Sequence, residues 1–120
     1  MMIEVLYASH LTPPAPILTI SIQTLGGGPK IETSALVDAD ADATIVSLPL
    51  LREISAQPSF SSTLRSPWGE ARNVLLYLID IRIGAILLPG LYAVGDALGK
   101  EVILGRDALN RLEWLLDGPA

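Results

Sequence analysis

The sequence has no cysteine, one phenylalanine, one histidine and only eight basic residues among its 120. Without cysteine there are no metal-thiolate sites, thiol nucleophiles or redox switches. The single histidine, His10, lies beside a proline-rich segment and reads as solvated. Thirteen acidic residues against eight basic ones leave a net charge of −5. That balance argues against general nucleic-acid binding, which needs a basic face to displace counterions from phosphates. Long apolar runs are missing too. The most apolar region, residues 74–94, is broken by Asp80, Arg82, Pro89 and Gly90. Nothing approaches the roughly 18 to 20 uninterrupted apolar residues of a membrane helix, so no membrane partner is expected. The start, "MMIEVLYASHLTPPAP", has no basic segment followed by a long apolar one. No signal peptide is expected, and a cytoplasmic domain is the expectation.

Half of the residues are apolar. A chain of this length makes one domain, residues 1–120, and buries a core without disulfide or zinc support. So much apolar content predicts that some surface is covered by another subunit.

The patterning is mostly that of strands. In "ILTISIQT", Leu18, Ile20 and Ile22 alternate with Thr19, Ser21 and Gln23, which predicts a half-buried strand. "LGGGPK" turns the chain, and "IETSALV" returns as the second strand of a hairpin. "TIVSL" reads as a short strand. "SLPLLREI" reads as one or two helical turns, with Ser47 as N-cap and Pro49 in the first turn. "SAQPSFSST" reads as loop. In "VLLYLIDIRI", Leu75, Tyr77, Ile79, Ile81 and Ile83 form a period-two face. "AILLPGLYAV" predicts a strand interrupted by Pro-Gly. "VIL" is a short buried strand, "GRDALNRL" a short helix, and "EWLLDGPA" a closing strand and turn. About seven short strands with one or two short helices predict an all-β closed or sandwich-like fold.

The most unusual stretch is "ALVDADADATIV", residues 35–46, in which Asp38, Asp40 and Asp42 alternate with alanine. Three chemistries use such carboxylates. Asp38, Asp40 and Asp42 match the first three ligand positions of a calcium loop. The pattern then fails, with Ala43 at the tight-turn glycine and Pro49 at the bidentate glutamate. "DADAT" also resembles the D-x-D-x-T motif of haloacid-dehalogenase-like phosphatases, with Asp40 as nucleophile and Asp42 as acid/base beside Mg²⁺. That family needs a doubly wound α/β domain, which so few helical segments do not predict.

The third resemblance covers roughly residues 17–119. "ALVDADADATIVSLPLL" resembles the active-site segment of retropepsin-like aspartic proteases, where a hydrophobic strand runs into Asp-Thr/Ser-Gly-Ala. "VILGRDALNRL", residues 102–112, resembles the apolar-apolar-Gly-Arg-Asp/Asn segment leading into that family's C-terminal helix. The resemblance implies a closed β-barrel with one short C-terminal helix, assembled as a homodimer. Residues 1–16 become an N-terminal extension or edge strand.

The implied chemistry is peptide hydrolysis by two carboxylates that share one proton, because like charges about 3 Å apart do not both ionise. One activates water as general base, and the other protonates the scissile carbonyl. Each chain supplies one catalytic aspartate, Asp38, so the twofold partner must supply the second. A peptide or protein substrate is implied, with no cofactor and no metal.

By the same resemblance, Ala41 and Asp42 contact substrate, and Pro67, Trp68 and Gly69 form the tip of a flap that covers it. Gly105, Arg106 and Asp107 support the active-site loop, and Asp42 pairs with Arg106, whose planar fork suits a carboxylate. Ala39 and Asp40 depart from the family pattern. Ala39 lacks the hydroxyl that braces the two loops across the dimer, and Asp40 puts bulk and charge where glycine packs close. These departures predict a weak or inactive enzyme. The alternative is a catalytically dead member that binds peptides or serves as a dimerisation module; the phosphatase reading is more distant.

Overall fold

The structure is a computed structural model, and it describes residues 6–8, 15–65, 71–97, 99 and 101–117. Strands β1 (Leu6–Ala8), β2 (Ala15–Thr24) and β3 (Lys30–Val37) are followed by β4 (Ile45–Ser47) and helix α1 (Leu48–Glu53). Then come β5 (Pro58–Arg65), β6 (Ala71–Ile83), β7 (Ile86–Asp96), β8 (Val102–Leu104) and helix α2 (Arg106–Asp117). The strand order is β1-β2-β3-β8-β4-β7-β6-β5, and β2 also pairs with β6. That extra pairing closes six strands, β2 to β4 and β6 to β8, into a barrel. Strands β1 and β5 hang from it as edges. The expected all-β barrel is therefore present, with two short helices among the described residues rather than one. The edge strand expected within residues 1–16 is Leu6–Ala8, paired with Ala15–Ile17.

Alternation builds the core. Leu18, Ile20 and Ile22 of β2 point inward, while Thr19 is exposed and Ser21 and Gln23 are partly so. They meet Ile79, Ile81 and Ile83 of β6, Leu88, Leu91 and Ala93 of β7, and Val102 and Leu104 of β8. Helix α1 adds Leu51 and Ile54, and α2 adds Ala108 and Leu112. Each fully buried aliphatic side chain contributes about 1.5 to 3 kcal/mol, so this interior drives the closure. Ser47 is the N-cap of α1, as expected, although its side chain makes no capping bond. The helix ends through Ser55, whose φ of 59° lets Ala56 N–H reach back to Leu51 O.

Four local expectations are corrected. Pro58–Arg65 is a strand, not a loop. It pairs with β6 along its length, and its central residues are exposed on both faces, so it carries no apolar period. Leu75 does not join the period-two face. It is 46% exposed while its neighbour Val74 is buried, so the inward face of β6 changes beyond the last β6–β7 pair at Leu76.

Residues 113–117 continue α2 rather than forming a strand. No glycine or proline intervenes before Gly118, and Ala108 and Leu112 already set a buried helical stripe. Pro89-Gly90 does not interrupt β7. These two residues stand opposite the single residue Asp80, a β-bulge with Gly90 at φ 63°. The bulge preserves the inward alternation on both sides of it.

Asp80 holds this bulge. Its carboxylate is buried and accepts the Gly90 N–H at 2.9 Å. From the other side, Arg111 of α2 donates to Pro89 O and Gly90 O. Asp80→Ala leaves the Gly90 N–H without its acceptor and is expected to cost about 1 to 3 kcal/mol. Asp80→Asn keeps an acceptor and should cost less. Urea unfolding of the two variants checks the order.

Candidate functional site

The three aspartates lie on the loop from β3 to β4. These strands are not neighbours, because β8 runs between them, parallel to β3 and antiparallel to β4. The loop must therefore arch over the end of β8, where the chain passes through Gly105 into α2. Sequence segments 35–46 and 102–112 meet at this crossing.

Backbone geometry fixes the loop closely. Asp38 N–H donates to Leu104 O at 3.1 Å, extending the β3–β8 pairing by one residue. Ala41 N–H donates to Asp38 O at 3.2 Å, which makes residues 38–41 a turn. The Asp38 carboxylate accepts the Asp40 N–H at 3.0 Å, the local bond that suits aspartate to turns. Arg106 N–H donates to Ala41 O at 2.7 Å. Gly105 is buried, and a Cβ there would sit 2.5 Å from Ala43 O and 2.8 Å from Ala41 O. Only glycine lets the loop and the start of α2 approach so closely.

Beneath the loop, Thr44 is wholly buried. Its hydroxyl donates to Asp107 Oδ1 at 2.8 Å and accepts the Gly105 N–H at 3.2 Å. Its backbone N–H reaches Asp107 Oδ2 at 3.2 Å, and its carbonyl accepts the Val94 N–H. Asp107 also accepts the N–H of Ala108, in the first turn of α2, where a negative charge complements the helix dipole. One threonine thus joins the loop to β7 and α2.

The pattern of the sequence does not single out Thr44. Its signal is a lone hydroxyl at the entrance to an apolar strand, "ATIV", which must find a partner once buried. Thr44→Val removes that hydroxyl at constant shape and leaves both Gly105 N–H and an Asp107 oxygen short of a partner. The expected cost is about 2 kcal/mol by chemical denaturation, with Thr44→Ser close to wild type.

The upper side of the loop is open. Asp38, Ala39, Asp40 and Asp42 are exposed, and Ala41 is half-buried. The expected Asp42–Arg106 pair is present as a hydrogen-bonded salt bridge. The hydrogen bond and charge of Asp42 hold the Arg106 guanidinium above its ordinary range, and Asp40 adds to the effect. Both side chains are more than half exposed, and an exposed pair of this kind is worth little to stability. Its consequence is positional, since it fixes Asp42 against the start of α2.

Asp38, Asp40 and Asp42 do not converge on one point. Among the described residues, no three histidine, aspartate or glutamate side chains are placed to share a metal ion. The flap residues Pro67, Trp68 and Gly69 lie outside the described residues. Strands β5 and β6 are paired as far as Arg65 opposite Ala71. No helix among the described residues is long and apolar enough to cross a membrane. Compared with known proteins, the chain matches no family model and no curated protein.

Proposed function

We propose that this chain is a retropepsin-like aspartic endopeptidase domain that works as a twofold homodimer, with Asp38 of each copy forming the dyad. The observation that carries this reading is the meeting of two distant segments. Asp38 stands exposed on a turn that is held from below by Gly105, Arg106 and Asp107. A catalytic carboxylate needs that combination of access and rigid support.

In the proposed dimer the partner's loop covers the open side. One Asp38 carboxylate draws a proton from water, and the other gives its proton to the carbonyl oxygen of the scissile bond. The substrate is an extended peptide lying across Ala41 and Asp42, under the hairpin of β5 and β6 with Pro67, Trp68 and Gly69 at its tip. Such a segment is held by backbone hydrogen bonds in the manner of an added strand. The chemistry calls for no metal and no cofactor.

A specific feature favours a second reading. Ala39 and Asp40 stand beside Asp38, so a copy of the fold that binds peptide or dimerises without cleaving it is the alternative. The Mg²⁺-dependent phosphatase reading of Asp40 and Asp42 lacks its frame, because a closed β-barrel is not a doubly wound α/β sheet.

The test is incubation of the concentrated protein with a peptide library. Cleavage that disappears in Asp38→Asn supports the endopeptidase. Peptide binding without cleavage in both forms supports the inactive module. Mg²⁺-dependent release of phosphate from a generic ester would return the phosphatase.

A further inference from the structure

Among the described residues, two strands are not closed into the barrel, and they differ. Strand β1 is three residues long, and a short edge offers little to a neighbour. Strand β5 is eight residues long, stands last in the sheet and pairs only with β6. Residues 58–63 are all exposed. One row of their backbone donors and acceptors therefore has no strand beside it among the described residues.

Edges of this length are commonly blunted by lysine, by proline or by an inward charge. Here Pro58 is the first residue and Arg65 the last, and the stretch Phe60–Leu64 between them has no such device. A register irregularity between Pro58 and Phe60 bends only the start of the strand.

We propose that β5 is a self-association edge that pairs antiparallel with β5 of a second copy. An edge of backbone groups fits an extended strand rather than a helix or a small molecule. Charge selects which strand. The molecule carries −5 overall, yet residues 58–65 and 71–79 hold no acidic residue and only Arg65 and Arg72 as charges. Repulsion between copies of an acidic chain is thus weak along this arm. The strand is also self-compatible. Pairing centred on Ser62 sets Arg65 opposite Ser59 of the other copy, not opposite its own equivalent, and sets Ser61 opposite Thr63.

A serine opposite a threonine is a favourable cross-strand pair. Phe60 is 49% exposed and already leans on Tyr92, itself 44% exposed, with ring centroids 5.1 Å apart in an edge-on arrangement. The arm therefore presents an aromatic pair beside the free edge. This inference does not rest on the Asp38 reading, since it uses the outer edge of β5 whether or not the β5–β6 hairpin covers a substrate.

The experiment is sedimentation velocity of the whole chain from about 1 to about 200 μM, the span over which a micromolar contact reveals itself. It is repeated with Ser61→Lys/Ser62→Lys and with Leu25→Lys, which charges an equally exposed apolar side chain on the β2–β3 turn. The expected result is concentration-dependent association that weakens at least about tenfold in the β5 variant. Association of the Leu25 control should be unchanged. Hydrogen exchange on the unmodified chain should show β5 amides gaining protection with concentration while β3 amides do not. A chain that stays monomeric with unchanging β5 exchange overturns the proposal. So does association that the β5 substitutions leave unweakened while β5 amides gain no protection, which assigns the contact to the 38–44 loop, or an edge that takes an added acidic peptide but never its own copy.

Discussion

Gly105→Ala is expected to lower the unfolding free energy by about 3 kcal/mol, the cost of forcing a methyl group into a filled space against backbone. The added Cβ would meet Ala43 O at 2.5 Å, Ala43 C at 2.6 Å and Ala41 O at 2.8 Å. None of these atoms is the end of a flexible side chain, so relief requires the whole loop to lift. Lifting it stretches the Arg106 N–H bond to Ala41 O and pulls Thr44 from Asp107 and Gly105. The loss should therefore exceed that of Thr44→Val alone.

Gly84→Ala is the informative comparison. Gly84 has φ 60°, but a Cβ there would meet nothing within 4 Å. Its cost is conformational only, about 1 to 2 kcal/mol. Urea unfolding of both variants separates steric from conformational cost. Equal, small losses would mean that the loop does not sit against Gly105 as closely as described.

What can be read from the sequence divides along physical lines. Strand β2 and the inner stretch of β6 are legible because one of their faces is wholly buried and the other carries polar or partly exposed residues, which writes a period of two into the residues. Strand β5 is not, because an edge strand exposed on both sides has no apolar face to reveal it. Its existence depends on the partner β6, not on its own composition. The end of α2 escapes because "EWLL" suits a buried strand as well as a helix when judged by apolar content. The i, i+4 pair Ala108 and Leu112 decides the matter only once both are seen to be buried.

The site divides in the same way. The Asp42–Arg106 pair is expected from family resemblance, and its distance in sequence is no obstacle because the crossing over β8 brings residues 64 apart into contact. Thr44 is invisible for the opposite reason. Threonine at a strand entrance is common, and nothing local says that a carboxylate 63 residues later will accept its hydroxyl.

The second large effect concerns rate rather than stability. If Asp38 carries catalysis, Asp40→Gly should raise peptide cleavage at least about tenfold, the equivalent of about 1.4 kcal/mol of barrier. The substitution is unusually clean. Asp40 has no positive φ, so its backbone does not require glycine, and the bond that orients Asp38 comes from the Asp40 N–H, which glycine retains. Stability should therefore fall by no more than about 1 kcal/mol, the usual entropic cost of glycine. What disappears is a side chain at the position where, in the proposed dimer, substrate and partner loop would pack.

A carboxylate disappears as well as bulk, and Asp40→Asn separates the two, because it removes the charge and keeps the size. Cleavage that rises as far in Asp40→Asn as in Asp40→Gly would assign the effect to charge, and no rise in Asp40→Asn would mean that Asp40 acts by obstruction alone. No cleavage in Asp40→Gly, in a folded dimer with Ala39→Thr also restored, would remove catalysis from the proposal and leave a peptide-binding or dimerising domain built on the same loop.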